Sequence, residues 1–234
     1  MLCLALAVAG CSLTDQTPVY RYRLTVEVDT PDGVKTGSSV IEVDTQVAGG
    51  YSIPTPGRVT NRVRGEAVTV DLGEGRVLFA LLRSEADIDW AGRVMYRLSP
   101  QYAGENALRD GYRNMLRHRP ERTVPRHFSR ADQVNKRSAY PMLVTFGDLD
   151  DPTSVERVDP DDLGATFGEG VRLKRITVQV TDDPVTSGIG QRLGWLEAHG
   201  RDHARLKPSG SRYLDEAQLI NLVTPGDFST ELYR

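Results

Sequence analysis

The chain has 234 residues, 39% hydrophobic and 26% charged, with a formal net charge of −3. That balance excludes wholesale disorder, and it provides no global attraction to nucleic acid or to an anionic membrane. Both cysteines, Cys3 and Cys11, lie in the first dozen residues, which excludes a disulfide framework or a thiolate zinc site from the body of the chain.

Residues 2–9 form an apolar run that stops at Gly10 and Cys11. The run is too short to cross a bilayer, which takes about 20 apolar residues, but it suits the apolar region of a signal peptide. Leu6-Ala7-Val8-Ala9-Gly10-Cys11 resembles a bacterial lipobox, in which small residues precede a cysteine that is acylated and becomes the new N-terminus. The resemblance implies a lipoprotein signal peptide over residues 1–10, lipidation of Cys11 and a short polar tether over residues 11–18. Nothing charged precedes Cys11, so the leader is expected to be truncated at its start. Ser12 is similar to the residue found there in enterobacterial lipoproteins released to the outer membrane. The expected location is therefore the cell envelope, on the outer membrane facing the periplasm, with the membrane engaged through the lipid anchor.

Residues 19–234 read as one α+β domain. Tyr20, Tyr22, Leu24, Val26 and Val28 alternate with Arg21, Arg23, Thr25, Glu27 and Asp29, the period of a half-buried antiparallel strand. Pro31-Asp32-Gly33 signals a turn, and the β-branched run 34–43 is the expected hairpin partner. Residues 46–65 contain Gly49, Gly50, Pro54, Pro56 and Gly57 and read as a long loop. A second hairpin is expected from 67–72 and 77–82 around Gly73-Glu74-Gly75; its second arm is apolar on both faces and so should be central.

Leu108, Tyr112, Met115 and Leu116 make one apolar stripe of a helix over 105–119, ended by Pro120. Residues 142–146 look like a short buried strand. Asp159-Pro160-Asp161-Asp162 has the chemistry of a helix start, and 171–180 alternates as another strand. Residues 187–198 read as a helix with Ile189, Leu193 and Leu196 inward, closed by Gly200. Hairpins early and helices late define an α+β class: a largely antiparallel sheet built from hairpins, with several short helices in the second half.

The segments Tyr140-Pro141-Met142-Leu143-Val144, Gly147-Asp148-Leu149-Asp150-Asp151-Pro152 and Val155-Glu156-Arg157-Val158-Asp159-Pro160 resemble a family of proteobacterial lipoproteins of unknown function. The run Val171-Arg172-Leu173-Lys174-Arg175-Ile176-Thr177-Val178 and the strand 22–28 are similar too. The resemblance implies an exported protein and implies no activity.

Charge is uneven along the chain. Between Arg109 and Arg137 nine basic residues stand against three acids, and between Asp148 and Glu169 eight acids stand against Arg157. Such blocks commonly face each other or are simply solvated. The functional alternative is an arginine surface for an anionic envelope component, with Arg109, Arg113 and Arg117 as candidate contacts, one helical turn apart. Asp148-Leu149-Asp150 begins like a calcium loop, but Pro152 and Thr153 stand where a ligand and the turn glycine belong. His199 and His203 lack the glutamate of a zinc-peptidase helix and have Gly200 between them. Gly188-Ile189-Gly190 and Gly194 miss the dinucleotide spacing, and Ser209 and Ser211 lie in no nucleophile motif.

These features predict no catalytic residue, no metal and no cofactor, and export argues against nucleic acid. The expected function is that of a non-enzymatic binding or assembly module on the envelope. The alternative is an envelope hydrolase acting on cell-wall or lipid ester bonds, for which a deep pocket of titratable groups is the discriminating feature.

Overall fold

The computed structural model describes residues 14–48, 58–100, 102–104, 107–201, 206 and 222–233. The alternating segment forms β2 (Tyr20–Thr30), which turns at Pro31-Asp32 and pairs along its whole length with β3 (Gly33–Ala48). Tyr20, Tyr22, Leu24, Val26 and Val28 are all buried, as their period predicts. On its far side β2 pairs antiparallel with β10 (Arg172–Thr181), and β7 (Arg122–Thr123) closes that edge.

Two features depart from the sequence reading. Residues 14–16 form β1 (Thr14–Gln16), paired with Gln46–Ala48 on the side of β3 that β2 occupies further along. The register differs by one residue between β1 and β2, so Thr17-Pro18-Val19 is a bulge in one long strand path. Thr17 is buried there and donates its hydroxyl to the Thr45 carbonyl at 2.7 Å. Within the expected tether over 11–18, residues 14–16 are therefore sheet. The expected loop over 46–65 is corrected too: β3 runs to Ala48, and β4 (Val59–Arg64) pairs back on Glu42–Val47. Residues 49–57 lie outside the described residues.

The second sheet, in the order β5 (Val68–Gly73), β6 (Arg76–Ala80), β8 (Leu143–Phe146) and β9 (Val155–Arg157), is antiparallel throughout. It is the middle layer. Val68, Val70, Leu78, Ala80 and Leu143 pack against the inner face of the first sheet. Val77, Phe79, Val144 and Phe146 face the opposite way, onto Leu193, Leu196, Val223 and Phe228. Burial on both sides accounts for the apolar run 77–80 of β6 and for β8, where Thr145 is the one polar residue and donates its hydroxyl to the Val77 carbonyl at 2.8 Å.

The helices are short: α1 (Trp90–Arg97), α2 (Ala107–His118), α3 (Arg130–Val134), α4 (Gly164–Phe167), α5 (Leu196–Arg201) and α6 (Pro225–Phe228). Helices α1 and α2 cover the end of the inner face that the second sheet leaves open. Tyr22 donates to the Ala91 carbonyl at 2.8 Å, and the Tyr112 ring lies 5.7 Å from that of Tyr20. The expected helix start at Asp159 is a turn instead. Asp159 accepts from the Asp161 amide at 2.9 Å, Asp162 accepts from Ala165, and α4 begins only at Gly164. Asx turns of this kind use the same residues that cap helices. The expected helix 187–198 is a 3-10 turn (Ile189–Gln191) followed by α5, and α5 continues through Gly200 to Arg201. Ile189, Leu193 and Leu196 are nonetheless buried as expected.

An ion network ties β2, β3 and β4 to the C-terminal segment. Glu42, with its side chain only 14% exposed, takes Arg21 at 2.8 Å and Arg64 at 3.0 Å, and Arg64 reaches on to Glu231 at 3.3 Å. The hydrogen bond from Arg21, and then Arg64, hold the Glu42 carboxyl below the ordinary glutamate value of 4.5. A depressed folded pKa contributes stability above pH 4.5 that disappears as pH falls through the folded value. Glu42→Gln should accordingly melt lower than the parent at neutral pH and converge with it in acid. Parallel melting curves against pH would refute that assignment.

Candidate anion-binding face

Helix α2 takes its orientation from its apolar stripe. Tyr112 and Met115 are fully buried, while Leu108 and Leu116 pack on the core from either side. The Tyr112 hydroxyl meets the Thr45 hydroxyl at 3.0 Å, and Thr45 in turn donates to Asn61 at 2.8 Å. Burial pushes the Tyr112 hydroxyl pKa up, so it stays neutral. This anchor fixes the rotation of the helix and therefore the direction of its arginines.

The row Arg109, Arg113 and Arg117 is only partly free. Arg109 is half-buried and engaged by a neighbour. Arg113 and Arg117 are exposed; Arg113 has only Asp110 at 4.0 Å, and Arg117 has no ion-pair partner among the described residues.

The acidic and basic blocks meet at one place. Arg126 grips Asp161 through Nε at 3.0 Å and Nη2 at 2.7 Å, with its guanidinium over the Tyr140 ring. The bond from Arg126 depresses the Asp161 carboxyl. Elsewhere the blocks diverge. Arg119 pairs with Asp182, and Arg122 donates to the Leu98 carbonyl at 3.0 Å. Asp148 and Asp151 accept amides two residues on, as turn formers.

The concavities have different characters. A cleft of about 240 Å³ is lined by Glu85, Arg126, Lys136, Tyr140, Arg157 and Asp159. Its two arginines are already engaged, Arg126 by Asp161 and Arg157 by Glu85 at 3.1 Å. A groove of about 390 Å³ between α1, α2 and β4 is walled by Val59, Tyr96, Leu108 and Tyr112, with Arg93 and Arg97 at its rim.

Among the described residues no group of three or more His, Cys, Asp or Glu could hold a metal, and no helix is long and apolar enough to cross a membrane. His127 and His199 turn Nδ1 to the carbonyls of Arg137 and Trp195. Cys11, His203, Ser209 and Ser211 lie outside the described residues. Gly188 caps the 3-10 turn that contains Ile189 and Gly190, and the Ile189 amide donates to Glu66 at 2.9 Å. Sequence reasoning missed Glu66, a carboxylate only 5% exposed, because its role needs partners more than a hundred residues away. No protein-family model, curated protein sequence or solved structure matches this chain.

Proposed function

We propose that this chain is a lipid-anchored envelope protein, exported, acylated on Cys11 and held on the outer membrane facing the periplasm. In this reading it is a non-enzymatic binding module that presents α2 to an anionic envelope component. The observation that carries the reading is the place of Cys11. The apolar run ends on it, and Thr14, three positions on, is already paired with Ala48 in the sheet. The exposed Arg113 and Arg117 supply the cationic surface, and guanidinium forks suit carboxylate and phosphate oxygens.

The test is Cys11→Ala in the expressing cell. Palmitate labelling should vanish, because the thiol is the acceptor of the diacylglyceryl group that carries the acyl chains, and the protein should leave the membrane pellet. Labelling at the parental level in that variant would rule the anchor out.

A further inference from the structure

We infer that α2 docks on the anionic phospholipid headgroups of the bilayer that holds the anchor. This inference deepens the anchored-module reading and rests on it for the identity of the bilayer.

The argument starts from where the chain leaves the fold. Thr14 pairs with Ala48, three strand residues beyond Thr45, a distance of about 10 Å. Thr45 is the residue that Tyr112 of α2 contacts. Three residue steps lead from Thr14 back to Cys11, and they span at most about 10 Å. An acylated Cys11 therefore brings the bilayer within roughly 20 Å of the point where α2 crosses the sheet. Because β1 is fixed in the sheet, it permits far less reorientation than a free tether of eight residues would.

Charge complementarity then selects the occupant. The buried Tyr112 and Met115 turn Arg113 and Arg117 away from the core, and Arg113 leaves 67% of its side chain in solvent. Arg113 faces Asp110 at 4.0 Å and Arg117 has no ion-pair partner among the described residues; both act on an anionic surface within about one Debye length, near 8 Å at physiological salt, an approach that the short leash leaves within reach of α2. Each arginine at an anionic leaflet strengthens attachment roughly fivefold, equivalent to about 1 kcal/mol. That is weak for a free protein, but a short leash supplies a millimolar effective concentration and makes it sufficient. Peptidoglycan offers carboxylates too, but the short distance from Cys11 to β1 favours the bilayer itself.

The experiment uses the full chain made by cell-free translation, which carries no acyl group, so the face is tested apart from the anchor. Its partition onto vesicles of equimolar phosphatidylglycerol and phosphatidylcholine is compared with that onto phosphatidylcholine alone. At low ionic strength, about 0.01 M, where the Debye length is near 30 Å and the arginines act without the leash, the parent should prefer the anionic vesicles, and the preference should fade with added salt. Arg113→Gln with Arg117→Gln should reduce anionic partition by roughly 25-fold, leaving partition on phosphatidylcholine and the melting temperature unchanged. Arg130→Gln with Arg137→Gln, which removes the same charge elsewhere in the basic block, should retain the preference. Equal partition of parent and α2 variant would overturn the proposal, as would an equal loss in both variants. Binding to isolated sacculi without any vesicle preference would overturn it too. Failure of the anchor would show separately, as absent acylation of Cys11 in cells.

Discussion

Replacing Gly37 with alanine is expected to destabilise the fold by about 3 kcal/mol or more, a fall in melting temperature of roughly 6–12 °C for a chain of this size. The cause is a close approach between the two sheets. Gly37 sits opposite Val26 on the inner face of β3, and a Cβ there would lie 2.1 Å from the Thr69 carbonyl oxygen and 2.8 Å from its carbon. These are backbone atoms, so no rotamer change relieves the contact. β5 would have to retreat, and it carries Val68 and Val70, both fully buried against the first sheet. Gly190 is the control. Its Cβ would meet nothing within 4 Å, and alanine there should be neutral or stabilise by up to about 1 kcal/mol through the unfolded chain. Thermal melts of the two variants decide the matter: similar midpoints would mean that the sheets slide apart freely.

The same close approach shows which parts of this fold are legible in sequence. β2 could be read residue by residue because its pattern needs only a core on one side and water on the other. The apolar run of β6 could be read as central and that of β8 as buried, because only a middle layer buries both faces. What escaped depends on partners distant in sequence. β4 is a polar segment with Val59 and Val63, and it becomes a strand because β3 extends far enough to offer it an edge. α1 is positioned by the indole of Trp90 donating to the Ala139 carbonyl at 2.9 Å and by Tyr22 on Ala91, contacts that its own eight residues do not announce. Asp159 and Asp162 serve turns rather than a continuous helix, since an aspartate side chain accepts an amide equally well in either setting. The arginine row was legible as a row. That Arg109 is engaged while Arg113 and Arg117 face solvent follows from the rotation fixed by Tyr112 and Thr45 across the sheet.

Glu66→Ala is expected to cost about 2–5 kcal/mol and to loosen the C-terminal segment before the rest of the fold. Glu66 joins three separate parts of the chain. Its carboxylate accepts the Ile189 amide at 2.9 Å and the Ser229 hydroxyl at 3.2 Å, and its carbonyl accepts the Ser39 hydroxyl at 2.7 Å. Beside it the C-terminal segment zips onto the core: Ala67 donates to Phe228 at 2.7 Å and Leu82 to Asp227 at 2.9 Å. Alanine leaves the buried Ile189 amide without its acceptor and the buried Ser229 hydroxyl without its own, and each unmet group costs about 1–3 kcal/mol. Glutamine should be much milder. It keeps one oxygen for Ile189, and its amide donates to the Ser229 oxygen once that hydroxyl rotates. Hydrogen exchange supplies a local readout, since the Ala67 and Leu82 amides are protected by the segment that Glu66 fastens. In Glu66→Ala they should exchange faster by a larger factor than the amides of β2, and in Glu66→Gln they should stay close to the parent. If the alanine variant melts within about 0.5 kcal/mol of the parent, the buried carboxylate does not fasten the C-terminus. If both substitutions cost the same, what the site requires is the negative charge itself, not two acceptor positions.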